Sequence, residues 1–488
     1  MRTVNKYVIL ALTLSSLGSS CMREKLEPVP TTALTDVTAF DTPDRILQQV
    51  NGLYASVKSG QYLGGRFIVY NEIRGEEYNN ELTNGVTGLQ TWNHTLGTNT
   101  NEVTNLWNAG YYAINSANVF LDGMAAKGTS IVGDELSANY TGEARFIRAM
   151  TYFDLLRLYA RPYWDGNGSK DGLPLRLTGN KGPGENDLAR SSVAEVFAQI
   201  LADLDYAEQN LPESYSTAFT NVTRAHKNTA IALKTRVLLA MQRYADVVTE
   251  ANKIVGEDLS APTGVPHELA ADITTVFKPP YTTTESILSM PFTANNLPGV
   301  QNALAHYFTP TSFATPAPGN GEYSLIATGL IANTSWSADD DRRKFIFAAP
   351  NGKSYLVKYP TGPTQTDNVP VIRYAEVLLN LAEALVRSTN SVNERAVEIL
   401  NAVRQRSDEG TSFEVGDFAS VDALIEAILL ERRIELLGEG FRSFDLLRLG
   451  QTIPGKANVN PVSPTQSEYI WPIPAGELLN NKLATPNP

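Results

Sequence analysis

The sequence predicts a mainly α fold: helix hairpins forming a scaffold that carries long irregular loops and a few short strands. Three observations lead there. Apolar residues recur at helical spacing through many separate stretches of the chain. A segment of about 256–370 instead concentrates Pro, Gly, Thr and Asn and lacks sustained periodicity. Charged residues make up 19% and aromatics 9%, with 21 tyrosines, which suits a folded body with amphipathic aromatic surface rather than a disordered one.

The first element is a leader. Arg2 and Lys6 make a basic start, residues 7–14 an apolar stretch, and residues 15–20 a small-residue approach to Cys21. The apolar stretch is far short of the roughly 20 residues that span a bilayer. The run Leu17-Gly18-Ser19-Ser20-Cys21 has the form of a bacterial lipoprotein cleavage box, with residues 1–20 removed and Cys21 lipidated. Cys21 is the only cysteine, so a disulfide framework, a thiolate metal site and an internal cysteine nucleophile are excluded together. Lipid chains anchor at about 0.8 kcal/mol per buried CH₂, so the anchor needs no spanning helix. The net charge of −12 becomes −14 once Arg2 and Lys6 leave (−12 − 2), the wrong sign for a phosphate-backbone binder, so nucleic acid is not an expected partner.

Residues 21–41 read as a tether and strap, and 42–488 as a single domain, since no clean linker divides it. Helices are predicted over 43–58, with Pro43 suited to a first turn, and over 102–124. Between them, 62–100 is rich in Gly, Asn and Thr and reads as loop. Residues 143–159 are apolar almost all round, which predicts a buried central helix. Ser192 and Glu195 have capping-box spacing and open a helix to about 210, stopped before Pro212. Helix pairs follow near 227–255, turning at Gln242 and Arg243, and near 371–406, turning through 388–393. A helix over 421–437 precedes Gly438, Gly440 and a short helix over 444–449. The pairs resemble tetratricopeptide units, although no strict 34-residue period runs through the chain. Within 256–370, residues 287–292 and 344–348 are strand candidates, and the rest is a loop-rich insertion suited to ligand binding.

Within 371–387 the polar residues Arg373, Glu376, Asn380, Glu383 and Arg387 fall at spacings of three, four, three and four. That is a charged stripe on an otherwise buried helix. Paired catalytic carboxylates are one reading of it. An ion-paired structural stripe is preferred, because each carboxylate has an arginine within one turn. Arg432, Arg433 and Glu435, with Arg442, Asp445 and Arg448, are the expected complement, and Arg145, Arg148 and Asp154 belong to the same structural polar network.

Catalytic signatures fail on inspection. Gly352-Lys353-Ser354 copies the end of a phosphate loop, but Phe347 stands where its first glycine belongs. His267-Glu268 lacks a second histidine at Ala271. Residues 165–171 alternate like a calcium loop, yet Lys170 replaces the turn glycine and Arg176 the final glutamate. No G-x-S-x-G elbow occurs and the four histidines are scattered singly. The expectation is a binding protein and not an enzyme, with no metal and no cofactor.

Several stretches together resemble the SusD/RagB nutrient-uptake lipoproteins of Bacteroidetes. They are Trp107-x3-Tyr111-x2-Ile114-x2-Ala117-Asn118, then Gly142-Glu143-Ala144-Arg145-Phe146-Ile147-Arg148-Ala149 with Tyr152-Phe153-Asp154-Leu155, then Arg373-Tyr374-Ala375-Glu376-Val377-Leu378-Leu379 with Ala382-Glu383-Ala384. Glu431-Arg432-Arg433-Ile434-Glu435-Leu436, residues 440–448 and Trp471-Pro472-Ile473-Pro474 complete the series. The resemblance implies a lipoprotein on the outer face of the outer membrane that sits as a lid on a SusC-like TonB-dependent transporter. It also implies capture of oligosaccharides, or peptides in the RagB branch, without cleavage. One departure is Met22-Arg23-Glu24-Lys25-Leu26-Glu27, which mixes signs where family lipoproteins often carry an acidic run.

The expected function is therefore binding of oligo- or polysaccharide and delivery to the transporter, with a peptide-binding lid, a gating role or a surface glycoside hydrolase as alternatives. Sugar rings have apolar C–H faces and hydroxyl edges, so an aromatic platform with polar partners is the expected site. Trp92 beside Asn93, Trp336 beside Asp339, and Tyr281 and Tyr307 supply those types in the loop-rich regions.

Overall fold

The computed structural model describes residues 38–182, 184, 186–362 and 364–487; the leader, Cys21 and the tether to residue 37 lie outside the described residues. The longer helices are α1 (Pro43–Val57), α2 (Arg66–Ile73), α3 (Asn101–Gly123), α4 (Asp134–Tyr159), α5 (Val193–Asn210), α6 (Lys227–Ala240), α7 (Tyr244–Ala251), α8 (Tyr374–Thr389), α9 (Glu394–Gln405), α10 (Val421–Glu435) and α11 (Arg442–Arg448). The strands are β1 (Tyr78–Asn80), β2 (Ser286–Met290), β3 (Tyr323–Leu325), β4 (Ile346–Ala348), β5 (Ser354–Leu356) and β6 (Val369–Arg373). The fold is thus mainly α, with few strands.

Local chemistry sets the helix starts. The Thr42 hydroxyl accepts the Arg45 N–H with Pro43 at the first position, and Ser192 and Glu195 close a reciprocal capping box at α5, with bonds of 3.2 and 2.7 Å. Asn393 and Ser420 cap α9 and α10 in the same way. The helices stack in chain order. α3 packs on α4, α4 on α5, α5 on α6, and α6 pairs with α7 through the turn at Gln242 and Arg243; α7 then meets α8, which pairs with α9 and packs on α10. The middle of α4 is buried almost all round. Ahead of α1, Phe40 is buried against Phe120 and over Gly123, where an added Cβ would lie 2.1 Å from the ring.

The strands form an antiparallel sheet in the order β1-β3-β5-β4 and a separate ribbon of β2 with β6. Residues 62–100, read from sequence as loop, instead carry α2, β1 and a short helix, Leu89–Trp92. Their apolar residues Phe67, Ile68, Val69 and Ile73 enter the core. The helix expected from 371 begins at Tyr374, because Val369, Val371 and Ile372 are β-branched and pair with β2 as a strand.

That boundary changes the ion pairing. Arg373 ends the strand and does not pair with Glu376; its guanidinium reaches Glu285, Glu435 (2.9 Å) and Glu439 (2.7 Å). Glu376 receives both arms of Arg236 at 2.6 Å. Asn380 accepts from Arg432, which also forks to Asp445, and Glu383 accepts from Arg387 and from both Nη atoms of Arg448. Arg433 and Arg442 turn away to Glu77 and Glu76. Near the other end of the stack, Arg148 holds Asp203 through two bonds of 2.8 Å. Arg145 lies over the Tyr206 ring, and Asp154 accepts from Tyr62 and Arg157. Each carboxylate of the stripe is therefore taken up by arginine, which leaves none of them free for acid–base work.

Around Glu435 these contacts close into one buried cluster. Arg342, Arg373 and Arg406 converge on its carboxylate. Burial pushes Glu435 up, but the three guanidinium groups outweigh that and hold it well below the usual carboxylate range. Replacing Glu435 with Ala should cost roughly 3–5 kcal/mol in chemical denaturation, the effect of stranding a buried partner; a loss under about 1 kcal/mol would show that the cluster is not the clamp described here.

Glu72 behaves oppositely. It lies in the last turn of α2 and accepts N–H groups of Gly438 (3.1 Å), Gly440 (2.6 Å) and Phe441 (3.1 Å), yet burial outweighs these and raises it to about 7. A raised folded value means its contribution to stability is fully present below the unfolded value of 4.5 and is lost as pH rises through 7, about 3 kcal/mol in all. The Glu72→Gln variant should show a flatter unfolding free energy between about pH 5 and 8 than the parent. An unchanged slope would assign that pH dependence elsewhere.

Candidate functional site

The aromatic residues singled out from sequence do not form a surface platform. Trp92 closes the Leu89–Trp92 helix with only 8% of its surface exposed, and its indole N–H donates to the Tyr78 carbonyl at 2.7 Å. Tyr307 is fully buried and donates to the Gln301 carbonyl. Trp336 is 2% exposed beneath the Arg343 guanidinium, 4.0 Å from its ring centroid, with its N–H unpartnered. These loops are long enough to need their own apolar filling, and the large rings supply it. Tyr281 is half-buried with its hydroxyl 3.3 Å from Asp367, Asn93 accepts from the Thr95 hydroxyl, and Asp339 is exposed. Among the described residues no ring contact or hydrogen bond joins Trp92, Tyr281, Tyr307 and Trp336 to one another.

The structure assembles a different site. A cleft of about 610 Å³ lies between α3, residues 176, 180, 182 and 186, and the helix Ala475–Asn480, within the roughly 300–1,000 Å³ of small-molecule sites. From α3 come Thr104, Trp107, Asn108, Tyr111 and Asn115. Arg176, Asn180 and Asn186 line a second side, and the C-terminal stretch gives Glu477, Asn480 and Asn481. Trp107 and Tyr111 have ring centroids 4.7 Å apart. Burial pushes the Tyr111 phenol far up, so it stays protonated, and it donates to the Pro174 carbonyl.

Part of this amide set builds the cleft and part is left over. Asn115 and Asn180 exchange reciprocal bonds of 2.7 and 2.9 Å between side chain and backbone, which pins the loop to α3. Gly179 makes the close approach possible, since a Cβ there would meet Val119 at 2.8 Å. Asn481 bonds both backbone groups of Leu188 and the Glu477 carboxylate. By contrast Asn108 is exposed and makes no side-chain hydrogen bond among the described residues. Arg176 gives one Nη2 bond to the Asn186 carbonyl and stands 3.8 Å from Glu477. The site thus offers the half-buried Tyr111, backed by Trp107 at 3% exposure, with neutral donors and acceptors and one guanidinium, a set that suits a hydroxyl-rich ligand.

A smaller cleft of about 250 Å³ adjoins it across Asn115, between α1 and α3, and Tyr112 lines it with 66% of its surface exposed. Sequence reasoning missed both. Thr104, Asn108 and Asn115 share one face of α3, and that polar stripe beside Tyr111 and Tyr112 was the available signal. Acid–base pairing is absent here: Glu477 is the one carboxylate among the described lining residues. His226 and His267, distant in sequence, stack at 5.3 Å in the interior. Burial lowers both, and among the described residues no group of three or more metal-ligating side chains is brought together.

Residues 343–488 match the SusD family model, and residues 26–239 match the model described as starch-binding associating with outer membrane. SusD-like protein P2 of Formosa agariphila is 26% identical over 99% of this chain and 98% of its own. The crystal structure of a SusD superfamily protein from Bacteroides fragilis is 32% identical, with a TM-score of 0.81 over 91% of this chain and 99% of that one. A laminarin-binding SusD-like protein shares the fold at 21% identity, with a TM-score of 0.73 over 92% of this chain and 99% of its own.

The pinned loop yields a direct test. Asn115→Ala removes both reciprocal bonds, so amide hydrogen exchange should accelerate across 179–182, while global stability falls by only about 1–2 kcal/mol. Unchanged exchange there would mean that the loop is held by something other than Asn115.

Proposed function

We propose, from the premise that this chain belongs to the SusD/RagB family, that it binds oligo- or polysaccharide at the cell surface and delivers it to a SusC-like TonB-dependent transporter. The observation that carries the reading is the cleft, where the half-buried Tyr111 stands beside the exposed, unpaired Asn108 amide and the Arg176 guanidinium. Aromatic rings cover the apolar faces of a sugar while amides and a guanidinium meet its hydroxyl edges. The family description supports a starch-type ligand at the outer membrane, and the laminarin-binding neighbour supports a glucan more broadly. Anchoring through Cys21 keeps the domain at the membrane face. With a single carboxylate among its described lining residues, the cleft favours binding over hydrolysis, which needs two carboxyl groups about 5–9.5 Å apart.

The test is affinity electrophoresis and calorimetry of the full chain against starch, laminarin and other polysaccharides, beside a protein-digest peptide pool. A glycan should bind without release of products. Asn108→Ala and Arg176→Ala should each weaken it by about five- to tenfold, the loss of one or two hydrogen bonds. Peptide binding alone would replace this reading with a peptide-carrying lid, and release of sugar fragments would replace it with a hydrolase.

A further inference from the structure

Two adjoining clefts on α3 differ in what each can hold alone. The larger is big enough for a ligand by itself, whereas the smaller, at about 250 Å³, falls below the roughly 300 Å³ lower bound of ordinary sites. They share Asn115, and the loop segment between them passes Lys181 to the smaller cleft and Gly182 to the larger. That loop is held flush on α3 by the Asn115–Asn180 bonds and by the Gly179 N–H to Asp122 at 2.8 Å. Beyond it, Tyr112 exposes two-thirds of its surface over an apolar floor that includes Phe40, Leu53 and Phe120. An aromatic ring this exposed beside a cleft with an apolar floor offers a stacking face that the fold itself does not use.

We infer that the two clefts are one extended site, in which the larger cleft takes the first sugar units of a linear chain and Tyr112 stacks on the units that continue into the smaller one. The inference rests on the glycan-binding reading and adds chain length as the specificity-determining property. Short oligosaccharides occupy the amide-lined cleft only. Longer ones cross the pinned loop and gain the Tyr112 contact, so affinity steps upward at the length that reaches it.

The experiment is calorimetry of the full chain with size-fractionated oligosaccharides, disaccharide to octasaccharide, prepared from laminarin and from starch, compared in the parent, Tyr112→Ala and Asn108→Ala. One aromatic stacking contact corresponds to about a tenfold step in affinity between short and long members. Tyr112→Ala should abolish the step and leave the affinity for short oligosaccharides unchanged, whereas Asn108→Ala should weaken all lengths together. The Tyr112 side chain is exposed and its hydroxyl makes no hydrogen bond among the described residues, while the bond its backbone carbonyl accepts from Ser116 survives truncation, so its loss leaves the fold intact. Affinity that is flat with length, or a Tyr112→Ala loss equal at every length, would overturn the extended site while leaving glycan binding standing. Failure of every oligosaccharide to bind, with the Asn108→Ala effect also missing, would instead remove the glycan reading and this inference with it.

Discussion

The structure depends on keeping a set of charges neutral where water cannot reach them. Five cations, Arg342, Arg373, Arg404, Arg406 and Lys358, face five anions, Glu285, Asp340, Glu431, Glu435 and Glu439, all buried or nearly so. Taking any one of these groups out of water is costly, and their mutual attraction offsets that cost only when geometry is good. Arginine suits the task because its planar fork addresses two carboxylates at once. Arg404 sits 2.6 Å from Glu431 without hydrogen-bond alignment, so that contact is Coulombic. The cluster joins the segments around 285, 340 and 358 to β6, α9 and α10, which also share one apolar core. It therefore fixes how the loop-rich part meets the helical stack.

The same helical stack determines where a ligand site can form. Most of α4 is swallowed by neighbours and has no face to spare. α3 is different: it buries Val103, Leu106 and Ile114 against α4 while turning Asn108 and Tyr112 to solvent. Residues 176, 180, 182 and 186 and the last helix then build walls over that outward face. Rigid helices thus position Tyr111 and Asn108, and loops supply the rest of the polar rim, the usual division between scaffold and recognition.

The helices were legible in the sequence because their period and caps are local. Lys227–Ala240 reads off its apolar run, and Ser192 with Glu195 announces α5 before any tertiary contact is known. Two things were not local. β6 hid inside a helix pattern, since Val371 and Ile372 continue the apolar register of Tyr374 and Val377, and only pairing with β2 shows them to be a strand. The tryptophans failed for another reason: their chemistry suits a sugar wherever they sit, but exposure is decided by what folds over them. Trp92 is covered because its N–H finds Tyr78 and its ring meets Lys456. The cleft was illegible because its walls join residue 104 to residue 481, and nothing in either stretch names the other.

Polar groups serve two ends in this molecule, and their charge distinguishes them. Where rigidity is needed the chain uses full charges, buried and matched, which resist exchange with water. Where a ligand is to be held, the cleft offers mostly neutral amides at the surface, each worth only about 1 kcal/mol against water. In the proposed role, a carrier that surrenders its cargo to a transporter cannot bind at the strength of a buried ion pair, because tighter binding lengthens residence. In that proposed role a series of weak contacts spread over a long polymer meets both demands, since retention grows with the number of units engaged and falls away as they are withdrawn one by one.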